Sequence, residues 1–162
     1  MTFEQYVETV GDRLSRGGFT PEEPAAGAAL QARRRTLKLT RFGLVETVVA
    51  LSALRETASV DDLLAFDTVV FGSALERKSR VPRGLGSSMV VYPVLVAGDV
   101  PAEVHDFLAD HTPDHWSVIE LPVAVEISSG SLTYSEKTPV WGSAYYKKTR
   151  KEALELLAVK AS

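Results

Sequence analysis

The segment SMVVYPVLVA, residues 88–97, is apolar on both of its faces. Because side chains alternate between the two faces of a sheet, this pattern is typical of a strand whose sheet is covered on both sides. Pro93 interrupts the segment and has no N–H group, which predicts a sheet edge or a bulge at that point. The segment therefore constrains the fold to helices packed around one sheet.

The remaining periodic segments predict the order helix, strand, strand, helix, strand, helix, strand, strand, helix. Strands over 30–41 and 45–54 should pair as a hairpin, because the link between them is too short for a parallel crossover. A capping box at Thr2 opens the first helix, Ser59 opens the second, and Asp99 is expected to cap the third. We predict a single α+β domain over residues 1–162, with one mixed, largely antiparallel sheet, flanking helices and a loop over 17–29.

Two later segments complete this order. Residues 117–128 alternate strictly, with Ile119, Leu121 and Val123 on one face and Glu120 and Glu126 on the other. This pattern predicts one long strand, followed by a short strand and a last helix over about 143–159.

Composition limits the classes of function. The chain has 162 residues, no cysteine and a formal net charge of -3. The lack of cysteine excludes disulfides, thiolate metal sites and thiol catalysis. No apolar run approaches the 18 or so residues of a membrane span, and Glu4 and Glu8 do not fit a signal peptide. We expect a cytoplasmic protein with no membrane contact and no cofactor.

Positive charge is concentrated in two segments. QARRRTLKLTR, residues 31–41, carries five cations and no acid, and a second group of cations lies within 147–151. If the two meet on one surface, they could neutralise several phosphates of a nucleic acid. One alternative function is therefore nucleic-acid binding through Arg33, Arg34, Arg35, Lys38, Arg41, Lys147, Lys148 and Arg150. The other interpretation is an ordinary strand with one solvated face and cations at helix ends.

All three histidines lie within VHDFLADHTPDHW, at positions 105, 111 and 115, with aspartates between them. Imidazole and carboxylate groups together suit zinc, manganese or iron. The spacing matches no familiar metal signature, and Thr112-Pro113 should end any helix between His111 and His115. A metal-dependent enzyme around His105, His111 and His115 is thus a second alternative, against a polar helix end and turn.

Aromatic side chains crowd the predicted junction between the last strand and the last helix. The segment TPVWGSAYY, residues 138–146, contains Trp141, Tyr145 and Tyr146. Tryptophan and tyrosine dominate binding hot spots, so these residues suggest a recognition patch, whereas core packing is the more ordinary role. No catalytic constellation is visible. The sequence therefore favours a non-enzymatic binding domain that engages a protein partner or a second copy of itself at an exposed aromatic patch.

Three segments carry a resemblance to a known family. TPDHWSVIELPVAV (112–125), KTPVWGSAYYKKTRKEA (137–153) and TLKLTRFGLVETVVAL (36–51) resemble an uncharacterised family of small prokaryotic, mainly haloarchaeal, proteins. The resemblance covers about residues 33–157 and rests on overall pattern rather than on a catalytic signature. It implies a cytoplasmic single-domain protein and brings no activity, cofactor or site.

Overall fold

The computed structural model of the protein describes residues 1–38, 43–79, 86–115, 117–138 and 143–159. Arg41 and Trp141, two of the candidate site residues, lie outside these ranges, as does the side chain of Lys38. In chain order the described elements are α1 (Phe3–Arg16), β1 (Thr20–Pro21), β2 (Ala28–Lys38), β3 (Gly43–Ser52), β4 (Arg55–Thr57), α2 (Val60–Glu76), β5 (Ser87–Asp99), α3 (Ala102–Asp110), β6 (Val118–Glu120), β7 (Val123–Glu126), β8 (Ser131–Tyr134) and α4 (Ser143–Leu157).

The strands form one mixed sheet with the order β1-β2-β3-β5-β7-β8, and β4 and β6 also pair with β5. The α+β class, the single mixed sheet and the approximate order of elements are confirmed. The predicted hairpin is the antiparallel pair of β2 and β3. Antiparallel pairs lie only at the two margins of the sheet, whereas every pairing made by the central strand β5 is parallel.

Helices cover both faces of the sheet. On one face α1 and α4 pack over a core that includes Leu14, Tyr92 and Leu157. On the other face α2 and α3 pack over two smaller clusters, represented by Val70 and Leu95. Alternate residues of β3 and β5 therefore contribute to different cores, which explains why residues 88–97 are apolar on both faces.

Pro93 lies in the central strand of the sheet, so the predicted edge position is wrong. Its place is explained by the neighbouring strand, which is divided into two short pieces. β6 pairs with β5 over Met89–Val91, and β7 pairs with it from Val94 onward. Pro93 thus falls between the residues of β5 that pair with β6 and those that pair with β7. On that side of β5 the hydrogen-bonded ladder is already interrupted, so the missing N–H group breaks no continuous run of hydrogen bonds there.

The helix starts follow local capping chemistry. Thr2 and Gln5 form the predicted capping box of α1, and the Ser59 side chain accepts a hydrogen bond from the Asp62 amide at the start of α2. The third helix differs from the prediction, because its N-cap is Pro101 rather than Asp99 and has no side-chain cap. Among the described helices, none has both the length and the apolarity needed to cross a membrane.

Candidate functional site

A cavity of about 810 Å³ lies between α4 and the sheet. Its sheet side is formed by the first residues of the parallel strands β3 and β5, from Gly43 and Ser87 onward, together with β6. Small-molecule sites occupy about 300–1,000 Å³, so the volume suits an organic ligand.

The floor of the cavity combines hydroxyl groups with apolar side chains. The strand residues that form the floor alternate in sequence with the residues that face α2. They therefore lie on the opposite face of the sheet, together with Tyr92. They are Thr36, Val45, Thr47, Ser88, Val90 and Ile119. The opposite wall is one stripe of α4, at three- and four-residue spacing: Tyr145, Tyr146, Lys148, Thr149 and Glu152.

A basic end of the cavity lies beside β2. Arg34 donates to Glu152 across the cavity at 2.8 Å and stacks on Phe19, with its guanidinium carbon 4.5 Å from the ring centroid. Tyr92 donates to the backbone carbonyl of Thr149 at 3.1 Å, and burial raises the pKa of its hydroxyl. Lys148 lines the same cavity and makes no hydrogen bond or ion pair with any described residue. It is the uncommitted cation of this site.

The opposite end of the cavity contains Asp114 and His115, in the connection between α3 and β6. His115 Nε2 lies 2.6 Å from Glu120 Oε2, and the imidazole stacks on Phe71 with ring centroids 4.2 Å apart. The His115 side chain is 34% exposed, whereas that of Glu120 is 2% exposed. His115 thus lines the cavity, while its imidazole contacts a buried carboxyl group and the Phe71 ring of α2.

A second buried acid supports Glu120. Asp67 of α2 and Glu120 are both buried, and each carboxyl group affects the pKa of the other. Asp67 Oδ1 and Glu120 Oε1 are buried and have no hydrogen-bond partner among the described residues. Because two ionised carboxylates can only accept hydrogen bonds, one proton held between these two acids would supply the donor that both oxygens lack.

The electrostatics of the pair favour that shared proton. Burial raises the pKa of Asp67 to about 8, and the hydrogen bond and charge of Glu120 act in the same direction. The charges of His111 and His115 act in the opposite direction on the pKa of Asp67. Burial also raises the pKa of Glu120. Both shifts act in the direction that favours one retained proton on the pair.

The backbone beside His115 is unusual. Ser117 has a φ of 59°, the one described non-glycine residue in the left-handed region. Such a conformation is sparsely populated and persists where the surroundings enforce it. Here the Ser117 hydroxyl donates to the Ser87 carbonyl at 3.0 Å, and its own carbonyl accepts from the Met89 amide. These bonds fix the connection that carries His115 against the start of β5.

The arginines of the basic strand are mostly engaged in internal ion pairs. Arg33 is buried and lies 2.5 Å from Glu22, while Arg35 donates to the buried Glu46 at 2.6 Å. Both arginines also bond carbonyl groups of α2 or of its C-cap, on the sheet face opposite α4. The structure therefore does not bring Arg33 and Arg35 together with the cations of α4. Of the three described arginines of this strand, Arg34 is the one that faces α4, and there it pairs with Glu152.

The predicted cations of α4 differ in their surroundings. Arg150 is bound to the segment before α4, through the Ser135 carbonyl, the Thr138 hydroxyl and the Lys137 carbonyl. Lys147 and Lys148 are exposed, and of these two only Lys148 lines the cavity. Among the described residues of the two basic segments, Arg34 and Lys148 line the same cavity, whereas Arg33, Arg35 and Arg150 are engaged elsewhere.

The three histidines do not converge. His105 Nδ1 lies 2.7 Å from the Thr133 hydroxyl on β8, and His111 stacks on Phe107. His115 contacts α2 and β6 instead. In the part of the chain that the structure describes, no three His, Asp or Glu side chains form a group able to hold a metal ion.

The predicted aromatic patch takes a different form. Tyr146 is 7% exposed, and burial raises the pKa of its hydroxyl. Tyr145 is half-buried, and both tyrosines line the cavity. Tyr146 is therefore not exposed as the predicted patch requires, because α4 turns it toward the sheet. Trp141 lies outside the described residues.

Sequence reasoning missed Asp67 as a site residue and did not connect Glu120 with His115. A signal for Asp67 is present, because it lies between Leu63 and Val70 on the apolar stripe of α2. A charged residue on such a stripe indicates a paired or protonated group. No such signal exists for Glu120, whose strand face looks solvated until α2 is placed over it.

The sequence and the fold were both compared with known proteins. No protein-family model, no curated protein and no solved structure matches this chain.

Proposed function

We propose that this protein is a binding domain whose ligand, a small organic anion with a flat apolar body, occupies the cavity between α4 and the sheet. The observation that carries the proposal is a large cavity with an uncommitted cation, Lys148, beside aromatic and apolar walls. The sequence-based expectation was a protein partner or a second copy bound at an exposed aromatic patch. The ligand proposed here is instead a small molecule in a concave site.

The chemistry of the walls supports each part of this ligand. Tyr145 and Tyr146 offer aromatic surface opposite Val45, Val90 and Ile119, so a flat apolar body would be covered on two sides. Lys148 can meet an anionic group without first breaking an internal pair, whereas Arg34 is held by Glu152. Hydroxyl groups on the floor provide further hydrogen-bond partners.

A protein partner or a second copy of the chain stays a prediction, and so does nucleic-acid binding. Neither is favoured by the geometry, because Tyr146 is buried and Arg33 is enclosed by Glu22 and α2. The cavity, by contrast, needs no rearrangement to admit a small ligand.

The test uses 8-anilinonaphthalene-1-sulfonate, a fluorescent aromatic anion, titrated at pH 6.5 in low salt. We expect saturable binding to the folded protein and a melting temperature that rises with probe concentration, because a ligand of the native state stabilises it. Lys148→Glu should weaken binding at least about fivefold, since it places a negative charge beside the sulfonate.

Lys147→Glu is the matched control, because it makes the same charge reversal on the adjacent residue outside the cavity. We expect it to change the affinity less than twofold. Equal weakening by both reversals would indicate a diffuse basic surface, as nucleic-acid binding requires, and would contradict the cavity site. A melting temperature that falls with probe would mean that the dye binds unfolded chains, which also contradicts it.

A further inference from the structure

We propose that the cavity binds its organic anion together with a proton, which is held by the buried Asp67–Glu120 pair behind His115. This inference rests on the proposed function and adds its regulation. The site would take up ligand under mildly acidic to neutral conditions and release it as the solution becomes alkaline.

The geometry connects the cavity to the buried acids through one side chain. His115 lines the cavity, its Nε2 lies 2.6 Å from Glu120, and its ring stacks on Phe71, one helical turn after Asp67. Asp67 and Glu120 each have a buried carboxyl oxygen without a hydrogen-bond partner among the described residues. The Nδ1 atom of His115 has no hydrogen-bond partner among the described residues. Any change of charge on the two acids therefore acts directly on a group in the cavity wall.

The charged groups around the pair come from several elements. Asp67 lies on α2, Glu120 lies on β6, and His111, whose charge acts on Asp67, lies at the end of α3. Asp114 lies beside His115, and its charge and that of Glu120 both act on Tyr146 of α4. The charged groups that act on Asp67 are Glu120, His111 and His115, with no lysine or arginine among them.

Loss of the shared proton therefore makes the cavity more negative. Two adjacent ionised carboxylates beside His115 would repel an anion bound between His115 and Lys148. By thermodynamic reciprocity, a bound anion must raise the proton affinity of the pair, so that binding and proton uptake favour each other.

The experiment measures the affinity of 8-anilinonaphthalene-1-sulfonate between pH 6.5 and pH 9, with circular dichroism confirming the fold at each pH. The sulfonate stays ionised over this range, so any change comes from the protein. For the wild-type chain we expect the affinity to fall about fivefold, the effect of one added charge near the site at an intermediate effective dielectric constant. Asp67→Asn, which cannot ionise, should remove the fall.

Asp106→Asn is the control, because this exposed residue of α3 lies outside the cavity; it should keep the wild-type fall. A second measurement needs no variant. Calorimetry of probe binding at pH 8, in buffers of different ionisation enthalpy, should show uptake of a fraction of a proton per bound anion.

The outcomes separate this inference from the function on which it rests. Binding that is independent of pH, without proton uptake, overturns the inference and leaves the cavity site intact. A fall that persists unchanged in Asp67→Asn also overturns it, because another group would be titrating. Absence of binding at every pH overturns both.

Discussion

Asp67 is a residue whose ionisation the fold opposes. Its carboxyl group is enclosed by α2, β6 and the histidines, and burial raises its pKa from 3.8 to about 8. Below pH 4 the group is protonated in both the folded and the unfolded chain, so it contributes no difference in stability. Between these values only the unfolded chain releases the proton, so stability falls as the pH rises toward 8.

Asp67→Asn should remove this loss. We expect the free energy of unfolding of the variant, relative to the wild type, to increase by about 3 kcal/mol between pH 5 and pH 9, less than the full shift implies because Glu120 shares the proton. Urea unfolding at the two pH values measures it. The exposed Asp106→Asn should show no such trend, and a constant difference for Asp67→Asn would mean that Asp67 is ionised in the folded protein at pH 5.

Two glycines are in close contact where β3 and β5 begin: Gly43 is the first residue of β3, and Gly86 directly precedes β5. The Leu44 amide donates to the Gly86 carbonyl at 2.7 Å, and a Cβ atom built on Gly43 would clash with that carbonyl oxygen and lie 2.7 Å from its carbon. Gly86 itself has a φ of 88°, which glycine adopts without strain. The parallel pairing and the mouth of the cavity thus both depend on the absence of a side chain at Gly43.

Gly43→Ala should destabilise the protein by about 2 kcal/mol or more, because backbone atoms cannot move aside as a flexible side chain can. Gly72→Ala, in the middle of α2, is the matched comparison, since nothing lies within 4 Å of the added methyl group. It should stabilise by about 0.5–1 kcal/mol, the usual difference in helix propensity. Chemical denaturation of both variants measures the contrast. Equal effects of the two substitutions would refute the close approach.

The start of a helix was predictable where neighbouring residues alone determine it. Thr2 with Gln5 and Ser59 with Asp62 start their helices as the sequence indicates, because a cap needs only the next three residues. The long strand predicted over 117–128 instead forms two short strands, β6 and β7. The break between β6 and β7 and the central position of Pro93 both depend on how β5, β6 and β7 align. The periodicity of a single segment contains no information about that alignment.

At the scale of the whole molecule, the two ends of the chain stabilise each other. Tyr6 of α1 donates its hydroxyl hydrogen to the Leu157 carbonyl at 3.1 Å, and Arg13 donates to the Leu156 and Ala158 carbonyls. These carbonyls lie at the C-terminal end of α4, where no further turn of helix can satisfy them. The first helix therefore caps the last one, and both cover the same face of the sheet.

Tyr6→Phe should weaken this cap by about 1 kcal/mol, since it leaves the buried Leu157 carbonyl without its donor. Hydrogen exchange should then show lower protection in the last turn of α4 and in α1, with α2 unchanged. Arg16→Ala is the control, because its ion pair with Asp12 is exposed and 3.9 Å long. Loss of protection in α1 alone would show that the two helices are not coupled.

The candidate site was only partly predictable, because it joins residues from distant parts of the chain. Tyr145, Tyr146, Lys148, Arg34 and His115 were all singled out from the sequence, but as three separate features. They meet at one cavity because α4 crosses the starts of β3, β5 and β6. That crossing is a property of the tertiary structure, and no local pattern encodes it. The same is true of the pairing between Asp67 and Glu120.

The position of α4 has a consequence for how specificity could diversify. In open sheets with parallel strands, ligands usually bind at the carboxyl ends, in loops that also lead into the crossover helices. Here the cavity lies at the amino ends of β3, β5 and β6. One of its walls belongs to α4, which follows the last strand in the sequence. Residues 145, 148 and 149 could therefore be randomised as a library for new ligands, while Ala153, Leu156 and Leu157 keep the helix anchored to its core.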